Sequence, residues 1–327
     1  MSFRFQQSAT HLQKWIISLG LLLLVVLAGC NSPQPIDTGN PISFKHRSGV
    51  FEMQVPKSWK QAQDQVETES LAAFSDPSGR AEMIGYAGLL DHTLTDDEGL
   101  ATVPGLVKNL LNAPQDLAIT DQQHRSDGAF TLNLSFTRNN EKRSGQAIFR
   151  QGALALSGVI VSGPQSEWTT LLTALQPYID SFTLKPDFVQ GTYFTPIENV
   201  HFAVVIPADW GRQTFEGGTL AKSPANKFTI VASEIATTTT SDDAALAKEA
   251  TSQARAHLGA VQLDNQEKLP DGRTKLSLSQ GTQRVIGYYE VKDGMLISLF
   301  FSVPADRADA YQPIIDFMYS TWVTGKP

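Results

Sequence analysis

Cysteine is almost absent from this 327-residue chain: Cys30 stands alone, so no internal disulfide can form. Histidine is nearly as scarce. The five beyond residue 29 are His46, His92, His124, His201 and His257, and no two fall at i, i+2 or i, i+4, which excludes a sequence-local metal pair. No G-x-S-x-G, no phosphate-binding loop and no G-x-G-x-x-G occurs. Basic charge is short as well. Removing residues 1–29 takes away Arg4 and Lys14 and no acid, leaving 24 basic against 33 acidic residues, a net charge of −9. That balance argues against nucleic acid and against electrostatic docking on anionic lipid, and suits a partner with a basic face. The expectation is a chain with no catalytic residue, no metal and no cofactor. Carboxylates brought together from distant segments stay open, which leaves an uncharacterised hydrolase as the least favoured reading. Long apolar runs are missing too. The longest, Ile16 to Ala28, has 13 residues against the about 20 that span a bilayer as a helix.

That run follows the positive Arg4 and Lys14, as the apolar core of a secretory signal does. It ends in Leu27-Ala28-Gly29-Cys30, which resembles the lipobox of bacterial lipoproteins. The resemblance implies that residues 1–29 are removed, that the Cys30 thiol carries a diacylglyceryl group, and that lipid holds the mature chain on the extracytoplasmic face of a membrane. Asn31, in the place where Asp would retain the protein at the inner membrane, implies that outer-membrane sorting is open. Two acyl chains, at about 0.8 kcal/mol per buried methylene, make a durable anchor. The Pro-, Gly-, Asn- and Ser-rich stretch that follows, within residues 30–42, reads as a tether.

What the sequence does contain, it contains twice. Phe51-x-Met53-x-Val55-Pro56-x-x-Trp59 returns as Phe202-x-Val204-x-Ile206-Pro207-x-x-Trp210. Apolar alternation of period two is a half-buried strand, and Pro ends it because it cannot donate to a ladder. Behind each copy come a turn (74–79 and 221–226), a strand (82–87 and 228–233) and a helix start. Thr95-Asp96-Asp97-Glu98 has the form of a capping box, and Ser241-Asp242-Asp243 is its counterpart. The second helix shows a small-residue stripe, Ala247, Ala250, Ala254 and Leu258. In the first, Pro104-Gly105 predicts a kink or a start near Pro104. Asp127-Gly128 and Asp271-Gly272 are matched turns ahead of alternating strands. Gln151-Gly152-x-Leu154-x-Leu156 matches Asp293-Gly294-x-Leu296-x-Ser298 in part, with Ser298 at the Leu156 place. Closing helices carry Gln176-Pro177-x-Ile179-Asp180 and Gln312-Pro313-x-Ile315-Asp316, read as one site. Trp59 and Trp210 are expected at equivalent places, packed on these helices.

This order of elements resembles the PsbP-type fold, which DcrB-like bacterial lipoproteins share. The resemblance implies an α+β chain of two tandem α/β/α sandwiches, each an antiparallel sheet flanked by helices: domain one over 43–184, a linker over 185–194 and domain two over 195–327. It implies binding or assembly work outside the cytoplasm, and it carries over no active site. Two functional readings follow. One is a membrane-anchored, non-catalytic interaction module docking on an envelope or membrane protein. The other is a carrier or sensor of a small apolar ligand or lipid.

Overall fold

The computed structural model describes residues 35–325 apart from 67–68, 113–114, 153 and 240–241, so the signal segment, Cys30 and most of the tether lie outside the described residues. Residues Thr38–Pro327 form one compact unit; of the other, Met1–Asp37, only 35–37 are described. Each Phe-x-apolar-x-apolar-Pro motif is a strand, β2 (Phe51–Pro56) and β12 (Phe202–Pro207). In β2, Phe51, Met53 and Val55 are buried while Glu52 and Gln54 face outward. β2 is the centre of a three-stranded antiparallel sheet with β1 (Pro41–Lys45) and β10 (Thr183–Leu184). β12 sits likewise between β11 (Phe194–Glu198) and β20 (Val323–Thr324).

The larger sheets repeat one topology. The first runs β3 (Lys60–Val66), β4 (Glu69–Ser75), β5 (Glu82–Leu89), β9 (Ala155–Pro164), β8 (Glu141–Gln151), β7 (Ala129–Arg138), β6 (Ala118–His124). The second runs β13 (Gly211–Phe215), β14 (Gly218–Lys222), β15 (Thr229–Ala236), β19 (Met295–Pro304), β18 (Gln283–Lys292), β17 (Thr274–Gln280), β16 (Gln262–Lys268). Every pairing is antiparallel. One face of each sheet packs on a middle helix, α1 (Asp96–Leu110) or α4 (Asp243–Leu258). The other face packs on the three-stranded sheet and a closing helix, α2 (Trp168–Asp180) or α5 (Ala308–Thr321). β9 is therefore buried on both faces along its whole length. This is the α+β sandwich of antiparallel sheet and flanking helices, present twice. Between the two copies the segment read as a linker holds a helix, α3 (Pro186–Tyr193), which buries Val189 and Tyr193.

Helix starts and breaks follow the side chains. Thr95 and Glu98 form the expected capping box. In α4 the cap is Asp242, whose Oδ1 accepts from the Ala244 and Ala245 amides at 3.0 and 3.1 Å. α1 starts at Asp96 and runs through Pro104. A proline cannot donate to the carbonyl four residues back, and the freed Leu100 oxygen instead accepts from the side-chain Nε2 of Gln122 in β6.

Register corrects two of the sequence matches. Glu82 faces Ser162 where Thr229 faces Ser302, and Leu184 faces Phe51 where Thr324 faces Phe202. Both pairs of equivalents stand 140 residues apart, so Leu175 of α2 corresponds to Ile315, and Gln176-Pro177 lies one helical turn away from Gln312-Pro313. Residues i and i+4 share a helix face, so a one-turn slip leaves the apolar stripe intact and hides in the sequence. Likewise Leu156 corresponds to Leu296 and Gly158 to Ser298. The matched Gly152 and Gly294 hold different places in their turns, and the mismatch at Ser298 came from pairing them.

The edges of the large sheets are polar and mostly irregular. β3, β6 and β16 each carry a register shift, between Gln61 and Gln63, Ile119 and Asp121, and Leu263 and Asn265. A bulged edge cannot accept a further strand cleanly. β13 pairs with β14 without a shift.

Candidate functional site

Chemistry-bearing side chains meet at several places among the described residues, and three of these bear on function. The first is a chain of buried hydrogen bonds around His46. Both neighbours of its Nε2, Asp64 Oδ1 at 3.0 Å and the Leu71 carbonyl at 3.3 Å, are acceptors, so the neutral ring carries its proton there. Nδ1 then accepts from the Ser48 hydroxyl at 2.7 Å and the Ser48 amide at 3.3 Å. Ser48 Oγ in turn takes the Val50 amide at 3.2 Å and lies 3.0 Å from Ser70 Oγ. An Asp, a His and a Ser thus stand in line, an arrangement the sequence hid because Asp64 is remote from the His46-x-Ser48 pair. The order suits a clasp better than a nucleophile. Ser48 Oγ already donates one bond and meets two donors, and attack needs a free lone pair. α3 closes over this clasp. The Lys185 amide donates to the Val50 carbonyl at 2.7 Å, Thr192 Oγ1 to the Ser48 carbonyl at 3.4 Å, and Tyr193 Oη to the Ala87 carbonyl at 2.8 Å. The Phe188 ring lies on Gly49, whose φ of +77° and bare Cα leave room for it. Burial pushes the Tyr193 phenol up to about 12.

Burial also holds His46 below its ordinary value of 6.5, against the pull of Asp64. Above 6.5 the ring is neutral folded and unfolded, and stability is full. Below 6.5 the unfolded chain takes up the proton first, and stability falls. His257, stacked on Phe215 at 3.8 Å and also shifted down by burial, adds in the same direction. Urea midpoints should therefore drop from pH 7.5 to 5.5, and His46→Gln should flatten the drop; an equal drop in that variant would remove His46 from the account.

The second place joins the halves. Glu98 uses its carboxylate twice. Oε2 accepts the Thr95 amide at 2.9 Å to complete the cap, and both oxygens meet the Arg307 fork, with Nη2 to Oε2 at 2.6 Å. Burial opposes the charge, but the Thr95 amide and Arg307 outweigh it and hold the Glu98 carboxyl below its ordinary value. The Thr93 amide donates to the Ala310 carbonyl at 2.7 Å, and the His92 ring leans on Tyr311 at 5.1 Å. Burial and the neighbouring Asp91 hold the Asp209 carboxyl above its ordinary value.

The third is a groove that each half carries at the same point of the repeat, beside the outermost strand pair. The first, of about 240 Å3, is lined by Gln63, Ala73, Ser75, Glu82, Leu110 and Arg138. Its lining charges are matched, since Arg138 Nη1 holds both Glu82 oxygens at 2.5 Å; outside the lining, Arg80 pairs with Glu141 at 3.3 Å and Glu167 at 2.5 Å. The second, of about 390 Å3, is lined by Arg212, Gln213, Leu220, Lys222, Ser223 and Asn226. A separate crevice of about 180 Å3 beside α2 is apolar on one side, with Ile148, Val159, Ile179, Phe182 and Leu184. Among the described residues no group of three or more His, Cys, Asp or Glu could hold a metal ion. Trp59 and Trp210 are buried at matched strand ends. Trp210 stands edge-on to Phe228 at 4.8 Å and reaches α5 through it, since Phe228 meets Tyr311 at 5.4 Å.

No protein-family model matches the chain, and no curated protein matches it. Solved structures do. The solution structure of PsbP from the cyanobacterium Synechocystis sp. PCC 6803 is 14% identical, with a TM-score of 0.34, over 40% of this chain and 92% of its own. A single-substitution mutant of the protein Mog1 is 11% identical, with a TM-score of 0.33, over 46% and 100%. LpqN of Mycobacterium tuberculosis, described as involved in cell envelope biogenesis, is 18% identical, with a TM-score of 0.22, over 46% and 87%. At these identities and TM-scores the fold rests on the chain's own two seven-stranded antiparallel sheets and their flanking helices.

Proposed function

We propose that this protein is a lipid-anchored extracytoplasmic module that binds a membrane or envelope protein without catalysis. One observation carries the reading. The repeat spends its polar side chains on caps, turns, the clasp and the Glu98–Arg307 joint, and leaves at the same point of each half an open groove whose charge differs between halves. A joined pair of such grooves can grip a partner at two points, and attachment near one membrane face raises the effective concentration for partners in that membrane. The anchor is Cys30, on the lipobox tetrad. Among the described residues no helix is long and apolar enough to cross a membrane, so in this reading the lipid does the holding. Cys30→Ser should move the protein from the membrane pellet to the soluble fraction or leave the signal segment uncut, read by fractionation and mass spectrometry; a variant still processed and still in the pellet would remove the lipid anchor. Crosslinking of the anchored chain in its own membrane, followed by mass spectrometry, tests for the partner. The apolar crevice beside α2 favours a second reading, in which a small apolar ligand seats there. Retention of one lipid species through purification would support it over the first.

A further inference from the structure

The matched halves have diverged in charge at one place. Strand register sets the equivalence: Lys60 faces Ser75 and Ser75 faces Glu82, as Gly211 faces Lys222 and Lys222 faces Thr229. The turns between these strands are built alike. The Asp76 amide donates to the Ala81 carbonyl at 3.1 Å and the Ser223 amide to the Phe228 carbonyl at 2.9 Å. Asp76 Oδ1 takes the Ala81 amide as Ser223 Oγ takes that of Phe228. In the second half the acid of this turn is therefore a neutral Ser223, Glu82 is Thr229, Ser75 is Lys222 and Gln61 is Arg212. Lys227 occupies the place of Arg80, but the acids that pair with Arg80 are gone. The β17–β18 hairpin ends at Gln280 opposite Gln283, two rungs before the Glu141 level, and Arg307 stands where Glu167 does and reaches across to Glu98. Among the described residues Arg212, Lys222 and Lys227 form no ion pair, and all three are exposed. In a chain of net charge −9 beyond residue 29, the second groove is locally basic.

The same groove borders β13. It is the outer strand of a large sheet that keeps regular pairing, whereas β3, β6 and β16 are bulged. The outer strands of the small sheets are no substitute: β1 and β11 contain Pro41 and Pro196, and β10 and β20 span two residues each. A regular, proline-free edge offers a row of unpaired amides and carbonyls, and cations beside it select the charge of whatever pairs there.

We infer that β13 accepts an extended acidic segment of a partner protein as an added strand, its backbone pairing with Gly211–Phe215 and carboxylates on its two faces meeting Arg212 on the side of β11, where the guanidinium also donates to the Pro196 carbonyl at 3.4 Å, and Lys222 on the side of α4. This rests on the interaction-module reading and names the chemistry of the partner: acidic here, although the acidic chain as a whole suits a basic one. The test uses the full chain in neutral detergent and a short synthetic peptide of Val-Glu-Glu-Val repeats, which carries Glu on both faces of a strand, followed by calorimetry. The acidic peptide should bind and its Lys-for-Glu counterpart should not. Arg212→Glu with Lys222→Glu should weaken binding about tenfold or more, as should N-methylation of alternate peptide amides, while Lys60→Glu on the bulged β3 should not. Circular dichroism and melting check that the variants fold, with Arg212→Gln and Lys222→Gln as milder replacements. Equal binding of the N-methylated peptide, or its full displacement by inorganic phosphate, would reduce the site to a simple anion patch and overturn strand addition. Binding indifferent to the double charge reversal overturns it too. Crosslinking separates the two levels: a partner still captured by the double variant keeps the module reading and removes this edge, whereas no partner for the parent chain removes the module reading itself.

Discussion

Trp210→Ala should lower the free energy of unfolding by about 3–5 kcal/mol, the usual cost of truncating a buried Trp or Phe. Trp210 is buried against Phe228, and Phe228 is edge-on to both Phe301 of β19 at 6.1 Å and Tyr311 of α5 at 5.4 Å. The indole is thus the outer member of an aromatic file that ties the strand end to the closing helix. Edge-to-face pairs add about 0.5–1.5 kcal/mol beyond area, so its loss is felt past its own volume. Against a typical total of about 5–15 kcal/mol the variant is marginal, and calorimetry of the full chain in neutral detergent should show a melt lowered by several degrees or more. An unchanged melt would mean the cavity collapses without cost and the file is not what holds α5.

Glu82→Ala should cost a similar amount, about 3–5 kcal/mol, for an electrostatic reason. The Glu82 carboxylate lies between two guanidinium groups: Arg138, bound at 2.5 Å, and Arg143, with Nη1 at 3.6 Å. Arg143 is 1% exposed; it donates to the Arg80 carbonyl, and its Nε has no partner among the described residues. Burial already lowers its affinity for the proton. Removing Glu82 leaves two cations facing each other, one with no access to water. Arg143→Met should by contrast fall within about 1 kcal/mol of the parent, because it removes the desolvation cost along with the pair. Urea unfolding of both variants is decisive: a small loss for Glu82→Ala beside a large one for Arg143→Met would reverse the roles assigned here.

The contrast shows what a sequence displays and what it conceals. Local features were legible because their cause is local: alternation in β2 and β12, the Thr95–Glu98 box, the Asp-Gly turns. Pairs such as Arg138 with Glu82, Asp64 with His46, or Arg307 with Glu98 have no spacing to betray them, since strand order, the packing of one sheet on another and the contact between the halves bring them together. The one-turn slip of the closing helices was invisible for the opposite reason: a helix repeats its own face, so several alignments bury the same stripe. Charge divergence at the second groove could be read only after register had said that Lys222 corresponds to Ser75 and not to a neighbour. Cys30 is legible in sequence and lies outside the described residues.

The irregular edges have a consequence for self-association. Growth of a strand-paired fibre requires two open edges on every molecule, one to accept the last arrival and one to offer to the next. Among the described strands this chain has one regular, proline-free edge of more than two residues, β13. Two copies meeting through β13 exhaust what each can offer, so the reaction stops at a dimer however crowded the molecules become.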